Sequence, residues 1–222
     1  SGVTAITFGI GAFFLGLAEV PDLSIALKQI VTNSVVAAGS ALIVGFFVLG
    51  ILQNIEQLFN ITTGMTLADY RDPRNPLLRQ LQQLAPGTFN HSRQVADIAE
   101  AATEAIGGDS LLAYVGGLYH DIGKMNKPEY FVENQTGYNR HKDLKPSMSL
   151  LVIIGHVKDG IELAREYDLP RELIHFIEAH HGTTLVEYFY HAAMKEAAEN
   201  GEPINEMQFR YPGPKPHTKE SA

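Results

Sequence analysis

Residues 119 to 125 read YHDIGKM, and they place a histidine, an aspartate and a lysine directly after the apolar stretch LLAYVGGL. The apolar stretch predicts a helix that begins at Asp109 or Ser110, since both residue types cap helix N-termini well. The His-Asp pair then stands at the C-terminal end of this helix, and Gly123 permits a tight turn behind it. A base, a carboxylate and a cation at one helix end indicate a site whose other members come from elsewhere in the chain.

The composition restricts the chemistry of such a site. The chain has 222 residues, a formal net charge of -8 and no cysteine. This length allows one sizeable domain with an appendage. The negative charge argues against binding a nucleic-acid polymer, which favours a basic face. Because thiolates and disulfides are excluded, any metal ion must be held by His, Asp or Glu.

The N-terminal part of the chain is strongly apolar. Residues 29 to 55 contain no charged side chain, and the stretch is longer than the roughly 20 apolar residues that cross a bilayer. Residues 1 to 18 are also uncharged, so we expect two transmembrane helices within residues 1 to 60. A cleaved signal peptide or a buried core helix is the alternative for the first stretch, but the basic residues that usually begin a signal peptide are missing. The start inside an apolar run predicts a fragment that carries the end of a larger membrane domain.

Positive charge predicts the orientation of this region. Arg71, Arg74 and Arg79 follow the second apolar stretch, whereas Lys28 stands alone before it. The positive-inside tendency therefore places the rest of the chain in the cytoplasm of a multi-pass protein of the cell membrane. Residues 61 to 87 contain prolines and alternating charges, and they are expected to form a juxtamembrane connector.

Residues 88 to 222 are predicted to form a helical bundle, because apolar residues recur at helical spacing and no strand alternation is found. Pro86-Gly87 predicts a break before the first helix, and Ser147 is expected to cap the third. The fold class is therefore all-α, with two transmembrane helices followed by the bundle. The five predicted helices are HSRQVADIAEAATEAIG, SLLAYVGGLYHD, MSLLVIIGHVKDGIELAREYD, RELIHFIEAHH and TTLVEYFYHAAMKEAAEN.

Five of the nine histidines fall at helix ends or on interior helix faces. An antiparallel bundle brings alternate helix ends into one layer, where these imidazoles can meet Asp121. Imidazole nitrogens with a bridging carboxylate suit first-row transition-metal ions. Lys124 then directs a positive charge toward an anionic substrate. The five histidines are His91, His120, His156, His180 and His181.

The order H…HD…H…HH resembles the two-metal branch of the HD-domain superfamily of metal-dependent phosphohydrolases. Longer stretches are similar to the cytoplasmic HD domain of the seven-transmembrane HD proteins, the PgpH type of cyclic-di-AMP phosphodiesterase. The similarity covers roughly residues 66 to 222, and the apolar region before it fits the last two membrane helices of that family. The stretches are HSRQVADIAEAA, YHDIGKMNKPEYFVENQ, GHVKDGIELAREYDLP, HHGTTLVEYFYHAA and RYPGPKPHTKESA.

The resemblance implies a role for each matching residue. Asp121 bridges two divalent metal ions, iron or manganese, and Lys124 sits beside the substrate phosphate, so that both are catalytic. The implied reaction is hydrolysis of cyclic di-AMP to the linear dinucleotide by a membrane-anchored signalling protein. His91, His120 and Asp121 hold one ion, and His156, His180 and His181 complete the site of the other.

The chain departs from the family pattern at its C-terminus. The pattern has a later aspartate in a helix that follows the PGPKP segment, whereas this chain stops at Ala222 before any such residue. The resemblance therefore implies an HD domain, residues 88 to 222, that is incomplete at its C-terminus. One ligand of the first metal ion is then missing, and the fragment by itself is expected to be inactive.

Other functions stay open at this point. The first is a membrane-bound nucleotide sensor whose HD domain binds without turnover, although all six expected ligands are present. The second is an HD hydrolase for another nucleotide; the branch that carries Gly-Tyr-Pro after its His pair is disfavoured by HHGTTLVEYF. A helical scaffold with incidental histidines is the third. The expected partners are a cyclic dinucleotide and membrane lipid, and oligomer formation is left open.

Overall fold

A computed structural model describes residues 23–59, 62–201 and 203–222. In these ranges the regular structure is helical, apart from an isolated antiparallel bridge between Leu185 and Arg210. The chain divides into two compact units, Ser1–Ile61 and Thr62–Ala222. The all-α prediction is confirmed for the described residues.

The described part of the first unit, residues 23–59, is a long helix, α1, which spans Leu23–Phe59. Its segment Leu27–Leu52 has a mean hydropathy of 2.6, and large side chains such as Phe46 are mostly exposed. By length and composition this helix can cross a membrane. The apolar helix predicted over residues 29 to 55 is confirmed, whereas the span predicted over residues 1 to 18 lies outside the described residues.

Residues 62–201 and 203–222 of the second unit form seven α-helices and several short 3-10 turns. The turns fill the connection after the HD pair and the segment before the C-terminal tail. The helices are α2 Gly64–Arg71, α3 Pro76–Leu84, α4 Pro86–Ala105, α5 Ser110–Tyr119, α6 Pro146–Glu166, α7 Arg171–Ala179 and α8 Glu187–Asn200. The turns are Ile122–Asn126, Pro128–Tyr130, Val132–Asn134, Arg140–Asp143 and Glu206–Phe209.

Two helices begin earlier than the sequence predicts, in each case at a proline. Helix α4 starts at Pro86, where a break is predicted, and α6 starts at Pro146, ahead of the expected cap Ser147. A proline suits the first helical turn because its φ is preset and the missing N–H would have no helical partner there. The prediction for α5 is confirmed, since the Asp109 side chain accepts a hydrogen bond of 3.0 Å from the backbone N–H of Leu112.

The main core is formed by residues of helices α2 to α7. Leucines of α2 and α3 are buried in it together with residues of α5 and α7, so residues 62–87 belong to the same compact unit as the later helices. The division into a connector and a domain beginning at residue 88 stays a prediction. The fully buried large residues of this core include Leu77, Leu81, Val115, Tyr119, Ile122, Leu173 and Ile177.

Close contacts across this core bring three helices to one point. A Cβ on Gly116 of α5 would lie 2.3 Å from the ring of Phe176 on α7. A Cβ on Gly123 would lie 1.9 Å from the carbonyl oxygen of His156 on α6. Gly123 therefore allows a close approach to α6, which is a different role from the tight turn that the sequence suggests. The end of α5 is thereby held against the middle of α6 and near the end of α7.

A smaller apolar cluster fixes the C-terminal segment. Leu150 of α6, Phe189 of α8 and Phe209 are buried together. The backbone N–H of Val186 donates to the carbonyl of Phe209 at 2.8 Å, and that of Tyr211 donates to the carbonyl of Thr184 at 3.0 Å. These contacts return the chain to the turn that follows α7.

Candidate metal centre

Asp121 lies at the centre of the candidate site and is 2% exposed. Its Oδ2 is 2.8 Å from Lys124 Nζ, 3.0 Å from His120 Nε2 and 3.8 Å from His91 Nε2. Its Oδ1 is 3.3 Å from His156 Nε2 and 3.5 Å from His180 Nε2. The carboxylate therefore faces imidazoles from four helical segments, with each oxygen directed to a different set.

The structure brings together all six residues that the sequence predicts as ligands. They form two groups that share Asp121, and within each group the potential ligand atoms lie within 4.8 Å of one another. His91 comes from the first half of α4 and is partly exposed, whereas His156 lies in the interior of α6. The first group is His91, His120 and Asp121; the second is Asp121, His156, His180 and His181.

Backbone carbonyls determine which nitrogen carries the proton in three of these rings. His120 Nδ1 is 2.8 Å from the carbonyl of Gly117, and His180 Nδ1 is 2.9 Å from that of Ile177. His156 Nδ1 likewise meets the carbonyl of Ile153 at 2.5 Å. Since a carbonyl only accepts, each Nδ1 carries the proton, and in the neutral ring Nε2 presents a lone pair. All three lone pairs point toward Asp121.

The imidazole lone pairs and the Asp121 carboxylate together form an arrangement of acceptors that can bind a cation. Asp121 Oδ1 is buried and has no hydrogen-bond partner among the described residues. The Nε2 atoms of His156 and His180 approach it and lie 3.3 Å from each other, yet both bear lone pairs when neutral. A buried carboxylate oxygen facing two such lone pairs is unfavourable unless positive charge is placed between them. The residues therefore form a His/Asp cluster suited to a divalent metal ion.

The electrostatics of the site agree with this view. Burial works against ionisation of Asp121, but the charge that His120 carries when protonated holds the pKa of Asp121 well below the usual range. Burial likewise opposes the charge of His120, but Asp121 outweighs this effect and raises the pKa of His120. Burial, with the nearby His180 and His156, lowers the pKa of His181 to about 3. Burial also lowers the pKa of His180. An ionised carboxylate and neutral imidazoles are the forms that bind metal ions.

The fold and the site together define an HD domain, in which a His-Asp pair at a helix end meets further helix-borne histidines. Residues 88–209 match the HD domain family, and the chain belongs to it. The chain is also related to cyclic-di-AMP phosphodiesterases of the PgpH type. It is 40% identical to PgpH of Bacillus subtilis over 221 residues, which cover 96% of this chain and 30% of the relative. The chain thus spans less than a third of the length of the curated relatives it matches.

Solved structures give the same relationship. The HD domain of L. monocytogenes PgpH is 46% identical, with a TM-score of 0.62 over 67% of this chain and 68% of that one. The same domain in complex with cyclic di-AMP superposes with a TM-score of 0.64 over 68% of this chain and 69% of that one, again at 46% identity. The resemblance stated from the sequence motifs is confirmed.

Lys124 is held at the centre by two carboxylates. Its Nζ lies 2.8 Å from Asp121 Oδ2 and 2.9 Å from Glu133 Oε1. Burial opposes its charge, but Asp121 and Glu133 outweigh this effect and raise the pKa of Lys124. Glu133 also accepts a hydrogen bond of 3.1 Å from the hydroxyl of Thr88 in the first turn of α4. Lys124 is therefore a fixed positive charge beside Asp121.

Sequence reasoning missed two residues of this site. Glu133 holds Lys124, and the buried Tyr211 stacks on His181 with ring centroids 4.0 Å apart. Burial, followed by the charge of Asp121, raises the pKa of the Tyr211 phenol. Both residues lie in stretches that resemble the PgpH family, YHDIGKMNKPEYFVENQ and RYPGPKPHTKESA. That location was the available signal, because neither residue type nor spacing marks them otherwise.

Two further histidines lie close together away from the centre. His175 of α7 and His217 of the tail have ring centroids 3.9 Å apart. They line an open pocket of about 600 Å³ together with Arg165 and Arg171. Neither histidine belongs to a metal-ligand group among the residues that the structure describes.

Proposed function

We propose that this chain carries the catalytic domain of a membrane-anchored cyclic-di-AMP phosphodiesterase, which opens cyclic di-AMP to the linear dinucleotide. The observation that carries the proposal is Asp121, one buried carboxylate that belongs to two groups of potential metal ligands. A carboxylate shared in this way can hold two metal ions at the short separation on which two-metal hydrolases depend. The site is thus built for chemistry on a phosphodiester.

The chain's residues divide into two sets of ligands around the bridging Asp121. One set is His91 and His120, and the other is His156, His180 and His181. When bound, two such ions lower the pKa of a water molecule and neutralise the non-bridging oxygens of a phosphate. Iron and manganese are the proposed metals, since both accept imidazole and carboxylate ligands.

Lys124 supplies a protein-borne charge to the same reaction. Its ammonium group is fixed between Asp121 and Glu133 and remains beside the carboxylate that both ligand groups share. A cation preorganised in a mostly buried position stabilises the charge that builds on a phosphate in the transition state. We assign Lys124 to the substrate phosphate and both Asp121 and Lys124 to catalysis.

The choice of substrate is supported by relationship. The chain is 40% identical to a cyclic-di-AMP phosphodiesterase, and the structure of a 46% identical HD domain holds cyclic di-AMP. The alternative of a sensor that binds without turnover is less well supported, because none of the six predicted ligands is replaced and all six are assembled. Ligand loss is the expected mark of an HD domain that no longer hydrolyses.

The membrane placement is a further part of the proposal. Helix α1 is long and apolar enough to span a bilayer, and Arg71, Arg74 and Arg79 follow it. The positive-inside tendency then places residues 62–222 in the cytoplasm, where they meet a soluble nucleotide. We retain the division into transmembrane helices over residues 1–60, a connector over 61–87 and the HD domain over 88–222.

A substrate panel tests the proposal. The full-length protein, loaded with manganese or iron, is incubated with cyclic di-AMP, cyclic di-GMP, deoxynucleoside triphosphates and a guanosine alarmone. We expect metal-dependent conversion of cyclic di-AMP to the linear dinucleotide, with slower turnover of the others. Tight binding of cyclic di-AMP without product would support the sensor alternative, and preferred turnover of another nucleotide would support a different HD hydrolase.

A further inference from the structure

His181 differs from its neighbours in the way its ring is held. The rings of His120, His156 and His180 are each anchored through Nδ1 to a backbone carbonyl three residues earlier. The structure gives the His181 ring no hydrogen bond within the described ranges, 23–59, 62–201 and 203–222. Rotation about the Cβ–Cγ bond of a histidine has only a broad intrinsic preference. Something else must therefore set the plane of this imidazole.

Tyr211 supplies that restraint. Its ring lies on the ring of His181 with centroids 4.0 Å apart and an interplanar angle of 15°. It also meets the ring of His156 edge-on, with centroids 6.3 Å apart. Tyr211 is only 7% exposed, so its side of the stack is buried. A flat contact of this kind blocks rotation of the imidazole out of the plane of the stack.

The backbone on both sides of the stack is tied together. The Tyr211 N–H donates to the carbonyl of Thr184, three residues after His181, at 3.0 Å. The guanidinium of Arg210 donates to the carbonyl of Thr183 at 3.2 Å. Phe209 is buried in the small apolar cluster and anchors the same segment. The two rings are therefore carried by segments that cannot separate without breaking these contacts.

We infer that Tyr211 is a positioning residue for the metal centre, orienting the His181 imidazole for its cation as backbone carbonyls orient the other three rings. The inference deepens the proposed function and rests on its metal centre. The aromatic ring performs this role, because the structure gives the Tyr211 hydroxyl no hydrogen-bond partner among the described residues. Groups that orient a metal ligand typically contribute 10–100-fold to metal affinity, which sets the expected effect at roughly that size.

Metal affinity of two Tyr211 variants tests this assignment in the full-length protein. Tyr211→Leu removes the stack but keeps an apolar side chain, and we expect roughly 10–100-fold weaker Mn²⁺ binding at the ion held by His156, His180 and His181. Tyr211→Phe keeps the stack, and we expect native affinity. Titration calorimetry measures the affinity. Electron paramagnetic resonance distinguishes a coupled pair of Mn²⁺ ions from a single ion.

Tyr190→Leu provides the matched control. Tyr190 packs against Phe209 with ring centroids 5.7 Å apart, but its ring meets none of the predicted ligands in the described structure. Its replacement should lower the unfolding temperature and leave Mn²⁺ affinity unchanged, which separates positioning from general stability. Excess Mn²⁺ should restore the coupled signal and turnover in Tyr211→Leu.

Either of two results would overturn the inference. Native Mn²⁺ affinity in Tyr211→Leu would show that the stack does not matter, and an equal loss in Tyr211→Phe would show that the hydroxyl matters instead. A native protein that binds both ions without cleaving cyclic di-AMP would contradict the proposed function alone. The comparison of affinities would still decide the role of Tyr211 in that case.

Discussion

Helix α7 and the turn after it take part in two close pairs of histidine rings that differ in their surroundings. His180 and His181 have ring centroids 4.1 Å apart and face the buried Asp121. His175 and His217 are equally close, at 3.9 Å, but line an open pocket. Proximity of imidazoles is the same in both places. The two regions therefore show which additional features distinguish a candidate metal centre from a pair of neighbouring histidines.

The main difference between the two regions is that the first contains a buried carboxylate, Asp121, and that backbone carbonyls orient the imidazoles around it. A buried ionised carboxylate is costly unless positive charge accompanies it, so Asp121 requires compensation in a way that a pair of neutral rings does not. At the other pair, the hydrogen-bond partner of His175 Nε2 is the hydroxyl of Ser221 at 3.4 Å. Burial and the neighbouring ring lower the pKa of His175 just as they lower that of His181, so pKa alone does not separate the two regions.

Replacing the shared carboxylate should have the largest effect. Asp121→Asn keeps the size of the side chain but removes its charge from both ligand groups. Turnover of cyclic di-AMP should fall by more than the roughly 100-fold loss expected from removing a residue that only orients a ligand. Initial rates and circular dichroism measure activity and helical content. The matched variant His175→Ala should retain native turnover. A comparable loss of turnover in His175→Ala would contradict the view that only the Asp121 region takes part in the reaction.

Loss of Lys124 should have the next largest effect. Lys124→Ala removes the fixed cation beside Asp121, and we expect kcat to fall by roughly 100-fold, as for a preorganised electrostatic group. Glu133→Gln leaves the lysine in place but removes one of its two carboxylate partners, so a smaller fall is expected. Steady-state kinetics of both variants show which of them has the lower kcat. A larger loss in Glu133→Gln than in Lys124→Ala would contradict the assignment of Lys124 to the substrate phosphate.

Removing the metal ions should destabilise the protein, because they are expected to bind at the cluster around Asp121 and not at the His175–His217 pair. Each bound ion stabilises the folded state by about 2.7 kcal/mol when free metal is roughly 100 times its Kd. Chelation of the manganese-loaded protein should therefore lower its unfolding temperature in detergent, as measured by thermal scans. His217→Ala should show the same shift as the native protein, whereas Asp121→Asn should show almost none. An undiminished shift in Asp121→Asn would place the metal elsewhere.

The support behind Lys124 can be tested with a pair of glycines. A Cβ on Gly87 would lie 1.9 Å from the carbonyl oxygen of Glu133, so Gly87→Ala forces the 3-10 turns away from α4. The expected cost is about 1–3 kcal/mol of overpacking, together with a lower kcat. Gly155→Ala in α6 has no atom within 4 Å of its new Cβ and should be neutral or slightly stabilising. Thermal unfolding and kinetics of both variants provide the comparison.

The sequence predicted that the six candidate ligand side chains come together, because they occur in a distinctive order and the helices that carry them show apolar residues at helical spacing. The His-Asp pair at the end of α5 and the His pair after α7 were recognisable from local patterns. Tyr211 and Glu133 were missed because their roles depend on contacts that form only in the folded chain, with His181 and Lys124 respectively, and no local pattern records these contacts. The starts of α4 and α6 were misplaced since a proline is compatible both with a break and with a first helical turn.

Metal stoichiometry tests the central claim most directly. The account predicts about two equivalents of manganese or iron per chain in the native full-length protein, as for other two-metal hydrolases, and an unchanged value in a His175→Ala/His217→Ala double variant. Asp121→Asn should retain less than one equivalent while keeping its helical content. A native protein with less than one equivalent after loading, or an Asp121→Asn variant with the full complement, would contradict a centre built around one shared carboxylate.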